Sequence, residues 1–153
     1  MGTTGATGVA TGTISATATG ARTVSATVNG VTVTQTAALT VAIGAASTAT
    51  SQIPVSAANM TTDSVVTVTV QLVDAVGNAL TASGGVVTLA TSLGALSAVT
   101  DVGDGSYTAT LTSTVPGTAT ITGTVGGNAI ADDATVAVAV GAASTATSQV
   151  TVS

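Results

Sequence analysis

Very few side chains in this sequence can hold or move a proton or bind an ion: Asp63, Asp74, Asp101, Asp104, Asp132, Asp133, Arg22 and Tyr107. Six aspartates suggest two kinds of chemistry, oxygen ligation of a hard cation such as calcium and acid–base work by a pair of carboxylates. Asp101 with Asp104, and Asp132 with Asp133 beside the Asn128 turn, are the spacings closest to a cation site. His and Cys are absent, which removes zinc fingers, thiolate nucleophiles and Ser-His-Asp triads. Arg22 alone can neither displace the counterions of a nucleic acid nor stack along one, so no nucleic-acid partner is expected. Asp and hydroxyl groups form no evident catalytic constellation. The reading is therefore a non-enzyme with no catalytic, cofactor-binding or metal residue assigned and no cofactor expected.

Only 5% of residues are charged, a composition that would suit a membrane protein. A membrane helix, however, needs about 20 consecutive apolar residues, and here Ala and Val alternate with Thr and Ser throughout. A membrane barrel would need aromatic girdles, which one tyrosine cannot supply. No membrane span is expected. Met1-Gly2-Thr3-Thr4 opens neither a basic nor an apolar leader region, so a targeting segment for export would lie outside this sequence or have been removed. Without Cys, no disulfide supports the fold.

The elements that must position the few polar groups emerge from an internal repeat. Gly44-Ala45-Ala46-Ser47-Thr48-Ala49-Thr50-Ser51-Gln52 recurs unchanged as Gly141 to Gln149, 97 residues further on. At that offset 24 of the 56 overlapping positions are identical, and Gly8, Gly20 and Gly30 fall on Gly105, Gly117 and Gly127. Val24, Val28, Leu39, Val41 and Ile43 fall on Ile121, Val125, Val136, Val138 and Val140, which keeps the apolar pattern. The sequence thus divides into 1–43, the C-terminal half of a preceding repeat; 44–52, a connector; 53–140, a complete repeat; 141–149, a second connector; and 150–153, the start of a following repeat. Residues 1–43 carry no copy of 53–97 and cannot close a core alone, so the missing strands belong to a longer array or come from a neighbour by strand complementation.

Within the complete repeat the apolar residues alternate, the mark of half-buried strands. Val66, Val68, Val70 and Leu72 share one face of 65–73. Tyr107, Ala109 and Leu111 share one face of 106–112, Ala119, Ile121 and Val125 one face of 118–125, and Val136, Val138 and Val140 one face of 135–140. Turn residues separate the runs at 74–78, 83–85, 103–105, 116–117 and 126–128. No useful helical period appears. About seven short strands in about 90 residues predict a two-sheet antiparallel β-sandwich.

The run Thr67 to Leu80, then Val87-Thr88-Leu89, then Thr100 to Thr114 with its Gly103-Asp104-Gly105-Ser106-Tyr107-Thr108-Ala109-Thr110-Leu111 segment, and Pro116 to Ile121, resembles the bacterial immunoglobulin-like repeat of invasin/intimin-type adhesins. The resemblance implies an all-β, immunoglobulin-like antiparallel β-sandwich in tandem repeats of about 97 residues. It also implies a stalk or spacer on an extracellular bacterial cell surface, in an adhesin or fibre. This chain departs from the pattern in carrying little charge and in having Ala10 where Tyr107 would fall. Two other functions remain open: a self-assembling extracellular filament or sheath subunit joined through strand edges or strand complementation, and a phage or virion fibre component. The partners expected are neighbouring copies of the chain or adjacent repeats, in a homo-oligomer or filament, and a host or surface receptor.

The repeat also weighs the acids. Asp101, Asp104, Asp132 and Asp133 align with Thr4, Thr7, Gln35 and Thr36, so no acid recurs between copies, and turn-forming roles are expected rather than a calcium site in every junction. Tyr107, two residues before inward-facing Ala109, has the spacing of a tyrosine corner, with its hydroxyl bonded to the backbone and its ring in the core. Lys is absent and only Pro54 and Pro116 occur, so the sheet edges lack the usual charged guards and invite strand association.

Overall fold

The computed structural model describes residues 5–151, and the outermost residues of the two expected partial repeats, 1–4 and 152–153, lie outside them. All regular structure among the described residues is β. The chain forms two compact units, one ending at Ile43 and one beginning at Gly44.

The second unit is a sandwich. One sheet contains β6 (Val65–Gln71), β8 (Ala95–Leu96), β9 (Thr100–Asp101) and β10 (Ser106–Thr112), with β10 pairing the other three. The other contains β5 (Asn59–Thr61), β7 (Val87–Thr91), β11 (Gly117–Val125), β12 (Asn128–Ala129) and β13 (Ala134–Ala139). All pairs are antiparallel except β5 with β13, where Met60 lies beside Val138 in a parallel ladder.

The alternation in sequence becomes the core. Val66, Val68, Val70 and Leu72 are buried on one sheet with Tyr107, Ala109 and Leu111, while Ala119, Ile121, Val125, Val136 and Val138 are buried on the other. Val140 departs from the expected pattern. It lies beyond the end of β13 at Ala139 and is exposed. Thr side chains take the outer positions, and the directly opposed Thr88 and Thr124 share a hydroxyl–hydroxyl hydrogen bond of 2.7 Å. Most outer strands are brief, with two residues each in β8, β9 and β12 and three in β5, while β7, paired only with β11, is a five-residue edge with no charged residue.

One tight turn fixes how β8 meets β10. Gly94 has φ +79°, and a Cβ there would sit 2.2 Å from the Thr112 carbonyl oxygen. Gly94→Ala adds left-handed strain to an unavoidable backbone collision, and we expect a loss on the order of 3 kcal/mol. Urea unfolding followed by circular dichroism measures it; a change below about 0.5 kcal/mol, the usual range of a neutral surface substitution, contradicts this packing.

In the first unit β1 (Gly20–Val24) pairs with β4 (Ala37–Val41), and β2 (Thr27–Val28) with β3 (Val31–Thr32). Every one of these pairs reappears 97 residues on. Gly20↔Val41 becomes Gly117↔Val138, Val24↔Ala37 becomes Ile121↔Ala134, and Val28↔Val31 becomes Val125↔Asn128. The turn backbone repeats as well, with positive φ at Asn29 and Gly30 matching Gly126 and Gly127. The first unit therefore has the register of the β11–β12–β13 part of the sandwich.

Candidate functional site

Tyr107 stands at the start of β10 with its ring buried. Its hydroxyl donates to the Gly85 carbonyl at 2.7 Å and accepts from the Gly84 N–H at 3.1 Å. A tyrosine corner would bond backbone a few residues upstream. Here the partners lie 22 and 23 residues away, so the ring latches the 83–85 turn onto the core.

The other polar centre is Asp74, a buried carboxylate at the end of the β6 run. Its Oδ1 accepts from the N–H groups of Val76 at 3.1 Å and Asn78 at 2.8 Å; its Oδ2 accepts from the Asn78 side-chain amide at 2.9 Å and from the Gly44 N–H at 3.1 Å. The Asn78 amide, then the Asn78 N–H, with smaller help from Gly44 and Val76, pull the carboxyl down to about 2 against the opposing effect of burial. The folded form therefore holds the carboxylate ionised below its ordinary value of 3.8. Stability from Asp74 is fully present above pH 3.8 and is lost as pH falls toward 2, because the unfolded chain takes up its proton first. Denaturation midpoints measured from pH 5 to pH 2 should fall more steeply for the native chain than for Asp74→Asn; parallel curves would contradict the role.

Around Asp74 lies the segment read from sequence as a connector, and it is bonded into the sandwich. The Ser47 N–H donates to Val73 O at 2.8 Å, the Thr50 hydroxyl to Asp74 O at 2.8 Å, and the Ala131 N–H to Thr48 O at 2.8 Å. Ser51 is buried, its Oγ accepting from the Val73 N–H at 3.1 Å and donating to Ser47 O at 2.7 Å. Gln52 and Gln71 exchange both backbone bonds. The sequence marked this segment only by its recurrence; its uncharged small residues carry no pattern that names the groove they fill.

Four of the remaining acids take local or backbone roles, and Asp133 is exposed. Asp101 Oδ1 accepts from the Gly103 N–H at 2.9 Å. Asp104 accepts from the Ser106 hydroxyl and N–H, which lower its pKa. Asp132 instead makes a long-range bond, accepting from the Ile53 N–H at 2.7 Å, and Asp63 accepts from the Thr61 hydroxyl. Among the described residues no three carboxylates gather as a metal site would require. Two shallow depressions mark the surface. Asp63 is the one acid lining the first, with Thr62, Ser64 and Gly94, and Asp132 the one acid lining the second, with Gln52, Gln71 and Ala131. Neither juxtaposes two carboxylates.

The first unit leaves inward apolar positions unfilled. Val28 is 63% exposed where its counterpart Val125 is 7% exposed, and Leu39 is 38% exposed where Val136 is fully buried. Ile14 and Val24 are likewise exposed where Leu111 and Ile121 are buried. These are the inward positions of the sandwich with no facing sheet within the unit's described residues. Arg22 occupies the position of buried Ala119, and its guanidinium turns to the carbonyls of Ala18 and Ala21, each at 3.1 Å.

Among the described residues no helix is long and apolar enough to cross a membrane. Comparison with known proteins gives a consistent picture. Residues 47–153 match the family described as "Invasin, domain 3". No curated protein matches the chain. The crystal structure of invasin, described as a bacterial integrin-binding protein, is 30% identical with a TM-score of 0.59, covering 81% of this chain and 25% of its own. Yersinia pseudotuberculosis InvD is 30% identical with a TM-score of 0.59, covering 86% and 40%. The Escherichia coli adhesin FdeC is 29% identical with a TM-score of 0.58, covering 82% and 42%. The chain thus spans less than half the length of each of these. With an immunoglobulin-like sandwich, a latched tyrosine and a family match over most of its length, the chain belongs to the invasin domain 3 family of bacterial adhesin domains.

Proposed function

We propose that this chain is a non-enzymatic structural repeat of an extracellular bacterial surface adhesin, a stalk segment that holds a receptor-binding module away from the cell. One observation carries the reading: the first unit repeats the strand register of the sandwich pair by pair at an offset of 97 residues, while its inward face stays uncovered. Such a half-sandwich makes physical sense as one part of a continuous array. The relatives support the setting, since invasin is described as integrin-binding and FdeC as an adhesin. Neither depression concentrates charge or aromatic groups, and a stalk needs neither. The partners of the chain are then adjacent repeats, and receptor contact belongs to other domains.

The reading is tested with the purified chain on cultured epithelial cells and in light scattering. A stalk segment shows no saturable cell binding and stays monomeric at high concentration. Saturable binding would place a receptor site on the chain, and ordered polymers would make it a filament subunit.

A further inference from the structure

The nonapeptide occurs twice in identical form but in two different surroundings. In both copies the local turn is the same: the Ser51 N–H and Oγ donate to Ser47 O at 3.0 and 2.7 Å, and the Ser148 N–H and Oγ donate to Ser144 O at 3.0 and 2.6 Å. The nine residues therefore fold their own turn regardless of what surrounds it. The first copy then inserts into the sandwich that follows it, bonding Val73, Asp74, Gln71 and Ala131 and placing Ile53 in the core at 2% exposure. In the second copy Ala142 to Gln149 are exposed, and Val150, the counterpart of Ile53, is 99% exposed.

From this contrast we infer that Gly141 to Val150 is a preformed plug for a cradle of the Val73–Asp74–Asn78–Ala131 type, and that its occupant is the sandwich of a following repeat in the same polypeptide. The inference rests on the tandem-repeat reading above and names the joint between repeats. The cradle chemistry is specific: a carboxylate to receive the first glycine N–H, which in the second copy donates to Thr62 Oγ1 at 3.1 Å and exchanges that partner on seating, two carbonyls and two N–H groups in register with Ser, Thr and Ser, and an apolar slot for Ile or Val. A second copy of the chain is a poor occupant, because its single cradle is already filled by an identical segment tethered beside it. Displacing that segment gains no new contact and loses the advantage of the tether. Such a joint is seated by hydrogen bonds, so it makes the connector part of the following sandwich rather than a free linker. It also adds no charge, consistent with the uncharged sequence of both copies.

The test extends the chain after Ser153 with a second copy of residues 57–140, which completes a following repeat, and compares amide hydrogen exchange in the original and extended chains. The joint predicts that Ser144 and Gln149, whose counterparts Ser47 and Gln52 donate to Val73 O and Gln71 O, exchange freely in the original chain and gain at least about a hundredfold protection in the extended one. Asp74→Ala made in the appended copy alone should reduce that protection while the appended sandwich remains folded. If the appended sandwich folds and Ser144 and Gln149 still exchange freely, the plug is overturned and the tandem reading stands. Failure of the appended sandwich to fold overturns the tandem reading itself. Protection that rises with concentration in the original chain would overturn the choice of occupant in favour of a second copy.

Discussion

Replacing Tyr107 by alanine should lower the stability of the sandwich by about 3–5 kcal/mol, the range for emptying a buried aromatic site. A domain of this size has on the order of 5–15 kcal/mol in all, so the loss removes from about a fifth to all of it. Tyr107 is the chain's single aromatic residue, buried in a core built otherwise of Val, Ala, Leu, Ile and Met60. The turn it holds is also tightly seated: a Cβ at Gly84 would come within 2.7 Å of Leu80 and Leu72 side-chain carbons. Tyr107→Phe separates the two contributions. It keeps the ring but strands the Gly84 N–H and the Gly85 carbonyl, at a cost of about 1–3 kcal/mol. Thermal and urea unfolding by circular dichroism measure both; a Phe variant as stable as the parent would show that the hydroxyl latch contributes nothing.

The second large effect concerns the first unit. Arg22 is the chain's only Lys or Arg, so trypsin has a single site, the Arg22–Thr23 bond in the middle of β1. In the sandwich the equivalent bond, Ala119–Thr120, lies within β11, paired with β13 on one side and bonded at Thr120 to Ser92, just past β7, on the other. A two-stranded ladder with an uncovered apolar face is marginal in water and opens often. Trypsin should therefore cut the native chain rapidly into two fragments, 1–22 and 23–153. Joining a copy of residues 53–97 ahead of Met1 supplies the missing front half and adds no Lys or Arg. Cleavage should then slow by about a hundredfold or more, because the site is exposed only by opening a completed sandwich. Arg22 need not be buried in that arrangement, since its guanidinium already reaches the carbonyls at the head of β1 and the stem alone can lie against the core. Equal cleavage rates with and without the front half would show that the exposed face is not waiting for that sheet.

Particular residues show why some of this was legible in the sequence and some was not. Strands β6, β10, β11 and β13 run six to nine residues, long enough for a period of two to show, and their buried faces were identified correctly from Val66 through Val138. Val140 fits the same alternation yet is exposed, because β13 ends at Ala139 and periodicity does not mark where a ladder stops. Strands of two residues, such as β8, β9 and β12, contain no period to read; their partners alone define them. The spacing of Tyr107 announced a backbone bond, but a local pattern could not place its partners 22 and 23 residues upstream. Asp132 is similar: its neighbours suggested a turn, whereas it caps the Ile53 N–H from the far end of the repeat. The repeat itself is the strongest signal, because a shared offset constrains register and turn conformation together.

The central claim is that these sandwiches act as a spacer, and the most direct measurement is the solution length of chains containing one, two, three and four copies of residues 53–149, obtained by small-angle X-ray scattering. Joints seated as Gly44 to Gln52 is seated should give a maximum dimension that grows by a constant increment with each repeat, about 30 Å or more, as expected from a nine-residue strand at about 3.3 Å per residue. Growth that flattens with repeat number, as for folded-back or freely jointed domains, would contradict the account.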